Sequence, residues 1–566
     1  MTDEQPSLSV LSVVLVAGLV AFYAVFGLVI LEPESVYSGD IGVKFVQARA
    51  LADSGFTSLA IPYPGEFLDP ERTFFPLRPP FIMVAGGATQ AIFPPVPAVI
   101  QAGMVALFGF NGLIALSIVS AGVVLVASWK MTPRELGVPV LVATGLGGPL
   151  WFYAVIGGEH APALALSTAA FAVALSPSRW RWVAFASGAL VGGGATLRDE
   201  VILLVPGLLL AIWLRHRAWR ALATAVAGVL LPLLLSLGLE VLWFGRPPAA
   251  HLRHAVHFVQ TALPMTTEAS ADLPVLRPMT PRERYDTVVT YWLLGRGTHY
   301  QVVGFVAALL VALGVRWRWR SSAGILIWLL AFGATAVSDL WEVLNAPKFL
   351  AGLVRISPFV VLALMPSAPG PAGDRHAGRW FRGVVGITTA AYLIIAYTGV
   401  NTTGGKSLGP RLLLPLVPLL TVSAIVTIAD YVRAEDALSR AVGWTGAALV
   451  AIAVDIHAGG TIPAYKQRNV DDASAVLAVA ASPHRIIVAD EMFTAQLLFP
   501  LYTRKIILLA DTQGLGRRLG ALLADRRFGG ALLVSREPRQ VVPLGPLRLE
   551  GTEQQGRMVL QSWRRR

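Results

Sequence analysis

Long apolar runs separated by short polar breaks dominate the chain. About thirteen are long enough to cross a bilayer: residues 8–31, 110–129, 136–156, 160–176, 181–197, 200–215, 219–244, 301–316, 322–338, 347–366, 382–400, 410–430 and 440–458. Their lengths predict an all-α polytopic membrane bundle of about 11–13 transmembrane helices, not a barrel, whose strands would alternate apolar and polar positions. The 8–31 run is too long for a signal-peptide core and has no basic start, so it reads as a spanning helix.

The polar breaks carry an orientation signal. Basic residues cluster on alternate connections: Lys130 and Arg134; Arg179 and Arg181; Arg215, Arg217 and Arg220; Arg316, Arg318 and Arg320; Arg375, Arg379 and Arg382; Arg433 and Arg440. If all thirteen segments cross, every cluster lies on one side, and the positive-inside tendency makes that side the cytoplasm. The other side receives the loop 32–109, the turns 157–160 and 198–200, the loop 245–300, the turns 339–346 and 401–411, and everything after residue 458. Most acids near helix ends fall there, so any chemistry is expected to face outward.

Two regions break the apolar rhythm. The loop 32–109 holds a short helix after Asp40, a strip Phe74-Phe75-Pro76-Leu77-Arg78-Pro79-Pro80, and two short apolar pieces, 81–93 and 96–108. These pieces read as interfacial or re-entrant segments, or as one spanning hairpin. From about residue 470 strands alternate with helices: strand 484–489, helix 491–498, strand 505–510, helix 514–525, strand 530–535. That alternation predicts a small extracytoplasmic α/β domain with a parallel sheet. The expected division is 1–458 for the transmembrane domain, outer loops included, and 459–566 for the α/β domain.

Composition narrows the class. Hydrophobic residues make up 55% and charged residues 14%, with mean hydropathy +0.63. A soluble chain would carry about 25% charged residues. The net charge of +12 fits cytoplasmic anchoring and contact with anionic membrane lipids, not nucleic acid. The absence of Cys excludes disulfides, thiolate metal sites and a thiol nucleophile. The Arg- and Ala-rich usage suggests a GC-rich bacterium.

Several polar groups on the outer side have both a chemical and a structural reading. Asp40 is placed to act as a general base toward an acceptor hydroxyl, or to cap the helix that follows it. Lys44, on that helix, meets phosphate or snorkels. Glu159 and His160 follow Trp151-Phe152-Tyr153 at a helix end, where an acid must be solvated or paired. Arg198-Asp199-Glu200 reads equally as a ligand cluster or a salt-bridge staple. His251, His254 and His257 spread over too wide an arc for a helical zinc pair. Gly404-Gly405-Lys406-Ser407-Leu408-Gly409-Pro410-Arg411 sets Lys406 and Arg411 where a helix begins, which suits an anion such as phosphate or makes a plain outer turn. It is not a nucleotide loop, because the Lys stands on the wrong side. The stretch 511–520 departs from the dinucleotide glycine spacing.

The ordered set resembles the GT-C superfamily of membrane glycosyltransferases. It comprises an outer-loop acid followed by a short helix, a Pro-Pro strip leading to Phe108-Gly109, Glu159 after aromatics, and Arg198-Asp199-Glu200. Trp243-Phe244-Gly245-Arg246-Pro247 and the Gly-Gly-Lys-Ser-Leu-Gly-Pro-Arg turn complete it. The pattern is similar to protein O-mannosyltransferases and to the aminoarabinose transferases of lipid A, over roughly residues 8–458. The resemblance implies hexosyl or pentosyl transfer from a polyprenyl-phosphate sugar to an envelope glycan, lipid or protein. It makes Asp40 the catalytic candidate, Glu159 a second cavity acid, and Lys44, His160, Arg198, Lys406 and Arg411 candidates for substrate binding. Many relatives carry paired acids in the first loop. Ile41 follows Asp40 here, so Mg2+ or Mn2+ stays an optional cofactor with no metal ligand assigned. The rival functions are a transporter or flippase for a lipid-linked substrate and a non-catalytic envelope assembly protein.

Overall fold

The computed structural model describes residues 9–32, 35–78, 81–85, 87–176, 182–245, 279–294, 352–365, 376–399, 408–510, 517–523, 529–536 and 547–565. The expected spans 301–316 and 322–338, the three histidines of the 245–300 loop, and Lys406 lie outside the described residues. Among the described residues, five helical runs are long and apolar enough to cross a membrane: Val10–Ile30, Phe110–Lys130, Trp219–Trp243, Arg411–Val432 and Ser439–Ala481. Four shorter apolar helices accompany them. The chain is a multi-pass helical membrane bundle with a small C-terminal sheet domain.

The bundle opens with α1 (Val10–Val25), which continues through a π-helical turn to Ile30. The outer loop then supplies α2 (Gly39–Asp53), a hairpin of β1 (Ile82–Ala85) and β2 (Ala88–Ala91), and α3 (Pro95–Phe108). Of the two readings of 81–93 and 96–108, the single spanning helical hairpin is corrected here. The first piece is an antiparallel hairpin with Ile82 opposite Ala91, and the second is a 14-residue helix packed on α2. Pro94 and Pro95 separate them, since proline suits a helix start and cannot continue a strand ladder.

Next come α4 (Phe110–Lys130), α5 (Gly137–Gly145), α6 (Leu150–Val155), α7 (His160–Leu175) and α8 (Trp182–Leu197). The stretch 136–156 is therefore two short helices instead of one span. Gly147, Gly148 and Pro149 interrupt it, with poor helix propensity and one missing donor. α9 (Val205–His216) follows a 3-10 turn, and α10 (Trp219–Gly238) packs along α8. Glycine permits that approach. A Cβ on Gly192 would collide with the Val229 carbonyl oxygen, and one on Gly188 with the Ala225 carbonyl oxygen. Small residues at this spacing let helix backbones touch in lipid. Gly192→Leu is expected to destabilise the bundle by at least about 1–3 kcal/mol, the usual cost of overpacking, read as a lower melting temperature in detergent.

After α10 a short helical piece, residues 281–294, is described, and the longer helices that follow are α11 (His376–Gly399), α12 (Val417–Val432), α13 (Ala437–Asp455) and α14 (Ile462–Ala481). The part of the expected span 347–366 that is described, 352–365, holds a short helical turn, Leu353–Ile356, and a 3-10 segment, Pro358–Leu364. α12 is buried over most of its length. A π-helical turn, Ile456–Thr461, joins α13 to α14, so one helical run leaves the bundle and enters the C-terminal region.

There β3 (Ile486–Ala489), α15 (Met492–Leu497), β4 (Ile506–Leu509), α16 (Arg517–Leu523) and β5 (Gly530–Ser535) form the expected α/β unit, with β3 parallel to both β4 and β5. β6 (Leu547–Gln555) and β7 (Met558–Arg565) extend it antiparallel, giving the order β4-β3-β5-β7-β6. This unit is not a separate bead. Val43 and Val46 of α2, with Phe74, Phe75 and Leu77, share one apolar core with Ile487, Phe499 and Leu508. Leu509 N donates to the Phe74 carbonyl at 2.8 Å, and the Tyr502 hydroxyl donates to Pro62 O at 2.9 Å. The C-terminal domain thus sits on the same end of the bundle as the first loop and braces α2.

Candidate active site

At that end four distant pieces of chain meet. Ser38 occupies the N-cap position of α2 without a side-chain capping hydrogen bond, and Asp40 lies inside the first turn, so Asp40 is not the cap. A carboxylate in a first helical turn still gains from the helix dipole. Lys44 stands four residues on, on the same face. Gln47 completes that face: its amide donates to Leu59 O at 2.7 Å and accepts from Ala91 N at 2.8 Å. That clamp fixes α2 against the hairpin.

Arg411 comes from the far end of the sequence. Gly409 has φ +68°, a left-handed conformation that glycine adopts freely. Pro410 follows, and Arg411 opens the 3-10 segment leading into α12. Arg411 Nη1 donates to Asp40 Oδ2 at 2.7 Å across 371 residues of chain. Two stretches singled out separately in the sequence are thereby one contact.

Beside it lies a second cluster. Lys44 Nζ donates to Glu159 Oε1 at 2.7 Å and sits 4.2 Å over the Phe93 ring. Arg198 Nη1 donates to the same Glu159 oxygen at 2.9 Å, lies 2.8 Å from His160 Nε2, and its Nε donates to Glu200. His160 stacks on Tyr153, centroids 5.1 Å apart, and the Tyr153 hydroxyl donates to Leu408 O at 3.3 Å. Both Lys44 and Glu159 are buried. Arg198-Asp199-Glu200 works as a staple through Arg198 and Glu200, and also reaches Glu159.

No family model matches the chain, and no curated protein matches it. Solved structures do align with it. ArnT from Cupriavidus metallidurans, in a crystal structure bound to undecaprenyl phosphate, aligns over 97% of this chain and 97% of its own, at 15% identity and a TM-score of 0.41. The archaeal oligosaccharyltransferase AglB from Archaeoglobus fulgidus, in complex with an inhibitory peptide and a dolichol-phosphate, aligns over 93% of this chain and 70% of its own, at 10% identity and a TM-score of 0.43.

The electrostatics follow from the pairing. Burial alone would raise the Asp40 pKa, but the Lys44 ammonium and the Arg411 guanidinium outweigh it and hold the carboxyl below its usual value. Burial also opposes ionisation of Glu159, and the Lys44 ammonium and the Arg198 guanidinium overcome it and hold that carboxyl far down. Both acids are therefore charged at neutral pH. A carboxyl with a depressed folded-state pKa contributes stability above its unfolded pKa, near 4, and that stability is lost as pH falls through the folded value. The melting temperature of the purified protein is expected to stay level from neutral pH to about pH 5 and to fall in more acidic buffer.

Three buried polar atoms of this cluster have no hydrogen-bond partner among the described residues: Arg411 Nε, Glu159 Oε2 and His160 Nδ1. Unsatisfied buried groups are costly and uncommon, and here they gather in one place. Among the described residues no three or more His, Asp or Glu side chains are placed to hold a metal, and Asp40 and Glu159 are each already held by a cation. Of the sequence candidates, the structure brings together Asp40, Lys44, Glu159, His160, Arg198 and Arg411. Phe93 and Gln47 were missed. Gln47 had a signal, since it lies seven residues after Asp40 on one helical face; Phe93 had none.

Proposed function

We propose that the chain is a bacterial inner-membrane glycosyltransferase of the GT-C type, with its C-terminal domain outside the cytoplasm. It moves a sugar from a polyprenyl-phosphate carrier to an envelope glycan, lipid or protein. The observation that carries the reading is the Asp40–Arg411 pair at 2.7 Å, beside buried polar atoms that have no partner among the described residues. Lipid phosphate is a good leaving group, so the protein must chiefly supply a base, cations and positioning. Asp40 accepts the acceptor's proton. Arg411, with Lys406 five residues before it in the sequence, holds the phosphate. Glu159, fixed by Lys44 and Arg198, presents its second oxygen to a sugar hydroxyl, and His160 Nδ1 offers another polar contact. Arg411→Ala is expected to weaken binding of a polyprenyl-phosphate donor by about tenfold or more, the scale of a charge-assisted contact. Unchanged donor affinity in a correctly folded variant removes Arg411 from the site.

A further inference from the structure

Arg411 faces a conflict that the reaction itself resolves. Its Nη1 is engaged by Asp40, its Nε is buried and has no partner among the described residues, and the described residues of the site set three acids against three bases. Asp40, Glu159 and Glu200 are matched by Lys44, Arg198 and Arg411. Glu159 holds Lys44 and Arg198, and Glu200 shares Arg198. Arg411 has a single ion-pair partner among the described residues, and its side chain is 22% exposed against 7% for Lys44 and 12% for Arg198. Lys44 also has one ion-pair partner but lies against the Phe93 ring as well, so among the three described cations Arg411 has the most room.

We propose that Arg411 is an exchanged cation, bound to Asp40 in the resting site and passed to the lipid phosphate as sugar transfer proceeds. The inference rests on the reading of the site as a lipid-phosphate sugar transferase. The charge balance supports it. The bond between the sugar's anomeric carbon and the phosphate oxygen breaks with its electron pair on that oxygen. The acceptor oxygen bonds to the same carbon, and its proton goes to Asp40. One negative charge disappears from the carboxylate as one appears on the phosphate, so the guanidinium that follows the charge is matched at both ends. The resting contact keeps Asp40 a weak base until the phosphate competes for its partner. Lys44 and Glu159, the other charged groups that act on Asp40, stay paired with each other throughout. An interaction that strengthens only as charge develops on the phosphate accelerates the step.

A consequence separates this idea from a base that merely sits near a phosphate. Asp40 and the phosphate compete for one guanidinium, so neutralising Asp40 must tighten phosphate binding. The experiment measures binding of undecaprenyl phosphate to the full-length protein in detergent micelles, for wild type, Asp40→Asn, Arg411→Gln and the double variant. The expected result is about tenfold tighter binding by Asp40→Asn, about tenfold weaker binding by Arg411→Gln, and a double variant no tighter than Arg411→Gln alone. Asp40→Ser replaces Asp40→Asn if melting shows the latter misfolded, with the same expectation. Equal affinity of wild type and the neutralised variant overturns the exchange while leaving a lipid-phosphate site in place. No binding by wild type overturns the functional reading itself.

Discussion

Asp40→Asn is expected to lose about two to four orders of magnitude in sugar transfer, the range that a positioned general base contributes. It should still fold. The amide keeps an oxygen that accepts from Arg411 Nη1, and the apolar faces of α2 against α3 and the C-terminal core are untouched. The sequence offered a structural alternative, a helix cap, under which Asn would serve as well as Asp. The structure gives the N-cap position to Ser38 and leaves the Asp40 carboxylate to its cation. The measurement is turnover of a labelled donor beside a melting curve. Wild-type turnover in the variant contradicts the base assignment.

Glu159→Ala should act in the opposite manner, on the fold before the chemistry. Glu159 Oε1 receives both the Lys44 ammonium and an Arg198 guanidinium N–H in a buried setting. Deleting it strands the buried Lys44 ammonium and leaves Arg198 with Glu200 as its remaining ion-pair partner. Removing one partner of a buried pair costs about 3–5 kcal/mol, which is a large part of a typical domain's stability. We expect a sharply lower melting temperature, or loss of folded protein. Glu159→Gln keeps an acceptor and should recover part of the loss. A Glu159→Ala variant that melts with the wild type means that neither cation needs this partner.

Much of the plan could be read from the chain because it is written locally. Apolar run length predicts helices in lipid, and Arg clusters on alternate turns placed the acids at one end, where the structure assembles Asp40, Glu159, Arg198 and Arg411. The β3, β4 and β5 strands were legible as short apolar runs between helical stretches. The antiparallel pair β6 and β7 was not, because Leu547–Gln555 is largely exposed and polar, without the alternation that marks a strand. The break in 136–156 was hidden by apolar content that ignores Gly147-Gly148-Pro149. Pairing was beyond reach altogether. Nothing in the sequence says that Lys44 turns to Glu159 while Asp40 turns to Arg411, since both pairs depend on how α2 is set against α7 and α12. The role of the C-terminal domain was equally hidden. Gly42 allows the Gln496 backbone close to α2, where a Cβ would come within 2.6 Å of the Gln496 carbonyl oxygen, and only the folded chain brings those residues together.

The most direct test is transfer of labelled sugar from polyprenyl-phosphate donors by the purified protein, supplied with envelope extract as acceptor. The account predicts labelled envelope product and stoichiometric release of polyprenyl phosphate from wild type, and at most about a hundredth of either rate from Asp40→Asn. Donor bound but never cleaved by the wild type, across the donors offered, would contradict it and leave the charged cluster as a transport or assembly site.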